Sequence, residues 1–188
     1  MIILQNINKS QPYNIFTSHY QKALDSRESN IEAASISAFN INKNEVSSRY
    51  VNIKLINDDK WIFFTNYHSP KALSFSTNNQ IACLFYWRST NTQIRIKALI
   101  KKTSVEYNQY YFSNRELSKN ALAISSNQSD TIVSYEQIKK NYNKTLKNAD
   151  LKKCPKYWGG FSFTPYYFEF WEGHESRINK REIFDKID

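Results

Sequence analysis

Only three glycines occur in the 188 residues, Gly159, Gly160 and Gly173, all in the last fifth of the chain. A G-x-G-x-x-G dinucleotide fingerprint and a Walker-type phosphate loop both need glycines that this chain does not have, so a Rossmann site and a P-loop are excluded. Glycine is also the residue that most easily adopts positive φ, so the turns before residue 159 must be made by Asn and Asp. Cysteine is equally scarce. Cys83 lies in an apolar run and Cys154 beside Pro155, with neither CxxC spacing nor a nearby histidine pair, so no metal site is expected. The three histidines, His19, His68 and His174, stand in no Ser/His/Asp or Cys/His pattern, which disfavours a hydrolase. No window approaches the roughly 20 apolar residues of a membrane span, and the opening MIILQNINKS lacks the basic start of a signal peptide. A reduced, cytoplasmic protein is expected, with no membrane partner.

What is abundant is aromatic and basic. Phe, Trp and Tyr make up 15% of the chain, enough for a single-domain core over residues 1–188, although mean hydropathy is low at -0.66 because Asn, Lys and Ser are common. The net charge of +9 calls for an anionic partner. Part of that charge is the lysine-rich stretch 139–156, read as a solvated helix face and the loop after it. No helix-turn-helix or RNA-binding motif accompanies it, so nucleic acid is not expected.

Residues 1–11 read as an arm. Residues 12–27 start with a proline and space Ile15, Phe16, Tyr20, Ala23 and Leu24 as one face of a helix. The pattern then turns to strands: AASISAFN, RYVNIKLI and WIFFTN, divided by turn-rich segments. Ser69 and Pro70 mark a helix start through KALSFSTNN. Two strands follow at 80–87 and 93–107, the second alternating Ile94, Ile96, Ala98 and Ile100 with Arg95, Lys97 and Lys101. Helices are expected at 106–124 and 134–148. The last part is β-like from Gly159, with Pro165 in a turn or on an edge. About six strands and intervening helices make an α+β domain on an antiparallel, barrel-like sheet.

Cationic and amide side chains mark the strands and their turns: Arg49 and Lys54 in RYVNIK, Thr65 in FFTN, Lys71 after Ser69, and Gln93. Arg49 and Lys54 are five apart, so one face of a regular strand cannot present both. In order along the chain, RYVNIK, FFTN-x-x-S-x-K, TQI, NQS at 127–129, YWGGF and EFWEGHESRINKR resemble the pyridoxamine 5′-phosphate oxidase family over residues 12–184. The closing segment matches the family pattern EFWxGxxxRxHxR without a gap.

The resemblance implies a split β-barrel homodimer with FMN at the subunit interface. It assigns Arg49, Tyr50, Val51, Lys54, Phe64, Thr65, Lys71 and Gln93 to FMN from one subunit, and Gln128, Ser129, Trp171 and Arg181 from the other. Lys54, Tyr111, Arg115, Lys119 and Arg177 are implied for a phosphorylated small-molecule substrate, and Arg177 and Asn179 for the reacting end. The implied reaction oxidises pyridoxamine or pyridoxine 5′-phosphate to pyridoxal 5′-phosphate, with dioxygen as acceptor. Alternatives are a related oxidase of dihydrophenazine type and a non-catalytic FMN binder. Lys119 stands where the family has Ser, Asn179 where it has His, and Pro70 where it has Arg. Asparagine cannot titrate near neutral pH, so any acid-base role of that histidine is absent.

Overall fold

The structure is a computed structural model, and it describes residues 1–126, 129, 131–132 and 134–185. Its contacts divide the chain into two compact units interleaved along the sequence. The first comprises Met1–Phe63, Ser74–Lys101 and Ser162–Asp188, the second Phe64–Leu73 and Lys102–Phe161.

The elements run β1 (Ile3–Gln5), α1 (Gln11–Asp25), β2 (Ala33–Asn40), β3 (Glu45–Asn52), β4 (Leu55–Asn57), β5 (Lys60–Asn66), α2 (Pro70–Thr77), β6 (Gln80–Trp87), β7 (Thr92–Lys102), α3 (Val105–Asn114), α4 (Leu117–Ser125), α5 (Tyr135–Asn148), β8 (Trp158–Glu172) and β9 (Lys180–Asp185). One sheet holds the nine strands in the order β1-β4-β5-β8-β7-β6-β2-β3, with β9 also on β8. The β2–β3, β2–β6, β6–β7, β4–β5 and β8–β9 pairs are antiparallel, and β1–β4 is parallel.

In the first unit the period-two alternation sorts side chains to two faces. On β6, Ile81, Cys83, Phe85 and Trp87 are buried and their neighbours exposed. Helix α1 closes the buried side with Tyr13, Phe16, Tyr20 and Ala23, all 4% exposed or less. The Phe16 ring meets Trp61 edge-on at 4.5 Å. Each such buried aromatic is worth about 1.5–3 kcal/mol of transfer free energy.

In the second unit, Ser104 and Ser134 cap α3 and α5 by accepting from the Tyr107 and Gln137 N–H groups. Phe112 packs edge-on to Trp158, and the buried Asn120 amide donates to the Phe112 and Leu151 carbonyls. Helix α5 buries none of its residues, in keeping with a solvated basic face.

Five expectations change. RYVNIKLI is two strands, because the chain leaves β3 at Asn52 and Ile53 tucks fully into the core before β4 begins. The strand from 93 stops at Lys102, since Ser104 caps α3. The helix over 106–124 is broken at Arg115, whose backbone is extended (φ -81°, ψ 156°). Pro165 lies buried inside β8 rather than in a turn, two residues ahead of the β8–β9 ladder that begins at Tyr167. Within the stretch read as an arm, Ile3–Gln5 pairs with β4 and Ile2 is 5% exposed.

The positive-φ turns follow from the shortage of glycine. Asn6, Asn30, Asn44, Asp58 and Asn91 have φ between 42° and 53°, none of the glycines has positive φ, and Arg27 (φ 56°) and Ser129 (φ 74°) depart from the expectation that Asn and Asp make all these turns. The glycines serve close approach: a Cβ on Gly159 would overlap the Tyr67 hydroxyl and the Asn108 amide.

Candidate functional site

In the first unit, cross-strand register places Tyr50, Ser35, Leu84 and Arg95 opposite one another, on the face away from the core. Gln93 shares that face. It lines a cleft of about 550 Å³ with Ser35, Ser37, Arg95, Lys97 and Tyr167. Arg49 pairs with Ile36 and so points to the other face with Val51, while Tyr50 is 76% exposed. The Arg49 Nε is buried and has no hydrogen-bond partner among the described residues. Lys54 leaves the β3 pattern altogether. It lies between β3 and β4, with its Nζ 3.6 Å from Glu32.

Trp171 and Arg181 face each other across β8 and β9. Arg181 Nη2 donates to Glu169 at 2.8 Å. Between the two strands, Arg177 has φ 62°, a left-handed conformation uncommon for a residue with a Cβ. Asn179 Oδ1 accepts the His174 N–H at 3.0 Å, and the Arg177 N–H donates to the His174 carbonyl at 2.9 Å. The Ser176 N–H points at His174 Nδ1, which places the proton of the neutral ring on Nε2. The Asn179 side chain therefore closes the loop that presents Arg177.

In the second unit, Phe64, Thr65, Arg115 and Lys119 line one cleft of about 310 Å³ with Asn66 and Trp158. The Phe64 ring stacks on Tyr111 at 3.6 Å and runs nearly parallel to Trp158 at 5.2 Å, with the Tyr111 and Trp158 centroids 6.4 Å apart. The Arg115 guanidinium sits 5.1 Å over the Trp158 ring. Burial lowers the pKa of Arg115 and raises that of the Tyr111 phenol, which stays a donor at neutral pH. Lys119 is exposed and paired with Glu116 at 2.8 Å. Lys71 is buried, its Nζ 3.2 Å from the Ser69 hydroxyl. Ser129 is in an exposed turn with φ 74°. Gln128 lies outside the described residues.

Sequence reasoning passed over Glu169 and treated Arg95 only as one of the basic residues that alternate with the apolar ones along the strand from 93. The signal was available: an ionisable residue between Phe168 and Phe170 needs buried partners. Glu169 is 4% exposed and bonds Arg95, Arg181 and Tyr167. Burial raises its pKa, but hydrogen bonds from Tyr167, Arg181 and Arg95 outweigh that, and the net shift is downward.

No protein-family model matches the chain. Among curated proteins it is 31% identical over 180 residues to pyridoxine/pyridoxamine 5′-phosphate oxidase 1 of Hydrogenovibrio crunogenus, covering 95% of this chain and 83% of the relative. It is 34% identical over 190 residues to the pyridoxine/pyridoxamine 5′-phosphate oxidase of Christiangramia forsetii, covering 99% and 88%. Among solved structures, PhzG from Burkholderia lata, in complex with tetrahydrophenazine-1-carboxylic acid, superposes with a TM-score of 0.88 at 23% identity, covering 95% and 88%. A pyridoxamine 5′-phosphate oxidase-related, FMN binding protein of Nostoc punctiforme superposes with a TM-score of 0.70 at 9% identity, covering 94% and 99%. These likenesses show the α+β split-barrel fold that the family resemblance implies, with nine strands among the described residues where the pattern suggests about six. Identity above 30% along nearly the whole chain goes further than fold: the chain belongs to the pyridoxine/pyridoxamine 5′-phosphate oxidase family.

Proposed function

We propose that this protein is an FMN-dependent oxidase that converts pyridoxamine or pyridoxine 5′-phosphate to pyridoxal 5′-phosphate, working as a cytoplasmic homodimer with FMN at the subunit interface. One observation carries the reading: Arg115 and Lys119, assigned to the substrate phosphate, line the same cleft as Phe64 and Thr65, assigned to the cofactor.

The residues suit FMN. The buried Arg49 Nε has no hydrogen-bond partner among the described residues, and the Lys71 ammonium is buried beside a hydroxyl; both are matched to a phosphate. The resemblance assigns Arg49, Lys54, Thr65 and Lys71 to the FMN phosphate. Tyr50, Val51, Phe64, Gln93, Gln128, Ser129, Trp171 and Arg181 supply the rest. FMN, when bound there, would supply a hydride acceptor that dioxygen can reoxidise, with hydrogen peroxide as the reduced product. Tyr111 and Arg115 hold the substrate phosphate as an anchor, which removes orientational freedom before reaction. Arg177 is held over the reacting carbon by the Asn179-closed loop.

A second reading keeps the flavin and changes the substrate to a dihydrophenazine-type compound. Two observations favour it: the Lys119 charge is already paired with Glu116, and the Asn179 amide oxygen is engaged in its own loop.

Incubating the FMN-loaded protein with pyridoxamine 5′-phosphate in air, while following pyridoxal 5′-phosphate and peroxide, tests the proposal. Both products should form in equal amounts. Bound, reducible flavin without turnover would overturn the vitamin B6 reading and leave the second. Failure to take up FMN would overturn both.

A further inference from the structure

Among the described residues, Glu169 is the only carboxylate in the buried set, and it is crowded with donors. Arg95 Nη1, reaching from β7, bonds both of its oxygens at 3.1 and 3.0 Å. From β9, Arg181 Nη2 reaches Oε2 at 2.8 Å, and the Tyr167 hydroxyl donates to the same oxygen at 2.8 Å. One side chain of β8 thus ties together the strands on either side of it.

Three features make this more than a structural pair. First, the arginine side chains are 49% and 54% exposed, so each guanidinium keeps N–H groups accessible while one of its terminal nitrogens is fixed on the carboxylate. Second, two cations on one anion leave an uncompensated positive charge, with a third cation nearby, since Lys97 Nζ lies 4.5 Å over the Tyr167 ring. Third, Arg95, Lys97 and Tyr167 line the cleft that also holds Gln93. A buried ion pair adds little net stability, because desolvation offsets the attraction; what it supplies is orientation.

We propose that Glu169 is a positioning residue that holds Arg95 and Arg181 as two pre-oriented guanidinium forks, and that their outward N–H groups, those of Arg95 included, contact acceptor oxygens of FMN. This rests on the FMN reading above. Fixing both forks before the ligand arrives spares the rotamer entropy that free arginines would lose on binding.

The test is a double-mutant cycle on FMN affinity, read by quenching of flavin fluorescence on addition of the apoprotein, with no turnover involved. Glu169→Gln and Arg181→Ala should each weaken FMN binding by roughly 10- to 100-fold, the loss of a charge-assisted contact. The double variant should be no more than about threefold weaker than the weaker single one, because Glu169 acts through Arg181 and Arg95 and has no contact of its own to lose. Arg95→Ala should weaken binding about tenfold. Full additivity, or wild-type affinity in Glu169→Gln, would overturn the proposal. Circular dichroism of each apoprotein reports folding. If Glu169→Gln does not fold, Arg181→Lys decides: it keeps a charge beside Glu169 but loses the fork, so affinity should fall as in Arg181→Ala, and restored wild-type affinity would sink the idea. A wild-type protein that binds no FMN would overturn the parent reading instead.

Discussion

The phenol ring of Tyr111 lies on the ring of Phe64, with centroids 3.6 Å apart and planes 14° from parallel. The contact joins a residue assigned to the substrate with one assigned to the cofactor, and fixes where the Tyr111 hydroxyl can point. Tyr111→Phe keeps the stack and removes only the hydroxyl. It should raise KM for pyridoxamine 5′-phosphate by about 3- to 10-fold, the value of one hydrogen bond, with FMN retention unchanged. Tyr111→Ala should cost more in KM because the stack, worth about 0.5–1.5 kcal/mol, goes as well. Steady-state kinetics on both variants check this; an unchanged KM in Tyr111→Phe would show that the hydroxyl plays no part, and equal losses in the two variants that the stack plays none.

The loop between β8 and β9 makes a separate prediction. Asn179→Ala deletes the acceptor for the His174 N–H and frees Arg177, so kcat should drop about tenfold while FMN stays bound and the melting temperature barely moves, as for exposed positions generally. Asn179→Asp retains an acceptor and should keep most of the activity. Arg177→Gly should relieve about 1 kcal/mol of left-handed backbone strain and yet abolish turnover. A fully active Asn179→Ala enzyme would refute the positioning role.

His19 gives a pH dependence. The ring is buried against Phe170, stacked at 5.7 Å, and burial lowers its pKa, with Glu172 opposing. A group whose pKa is depressed by folding contributes stability above its unfolded value, and loses that contribution as pH falls through the folded one. Wild-type melting temperature should therefore decline as pH drops below about 6.5. His19→Phe keeps the aromatic packing and should flatten that decline, with little change at about pH 8. Thermal melts of both proteins across this range provide the measurement.

Gly159→Ala should destabilise the protein by roughly 1–3 kcal/mol, since the added methyl overlaps the Tyr67 hydroxyl and the Asn108 amide. Urea unfolding monitored by tryptophan fluorescence gives the value. Unchanged stability would mean that Tyr67 and Asn108 move aside at no cost.

Much of this molecule was legible because period and punctuation were clear. Ile94, Ile96, Ala98 and Ile100 announce the buried face of β7, and Pro70 announces α2. The errors came where a local pattern was overridden by something remote. Nothing in RYVNIKLI signals that Ile53 will be swallowed by the core, taking Lys54 out of the strand. No periodicity marks Ile3–Gln5, because β1 exists only through its pairing with a strand some fifty residues on. The helix break at Arg115 is likewise invisible to a window that counts apolar residues. For the candidate site, order along the chain assigned the arginines and lysines, but not what holds them. Glu169 organises side chains from positions 95 and 181, and only the fold makes those neighbours.

The division of labour between asparagine and glycine has a consequence for how this protein can change. Left-handed turns at Asn6, Asn30, Asn44 and Asn91 are positions where glycine would fit as well, the relief of backbone strain offsetting the extra freedom of the unfolded chain. Gly159 admits no such exchange, because the room a side chain would need is already taken. Mutational tolerance is thus inverted from its usual arrangement. The turns are open to drift, and the closely packed glycine at the head of β8 is the fixed point that a library of variants should retain.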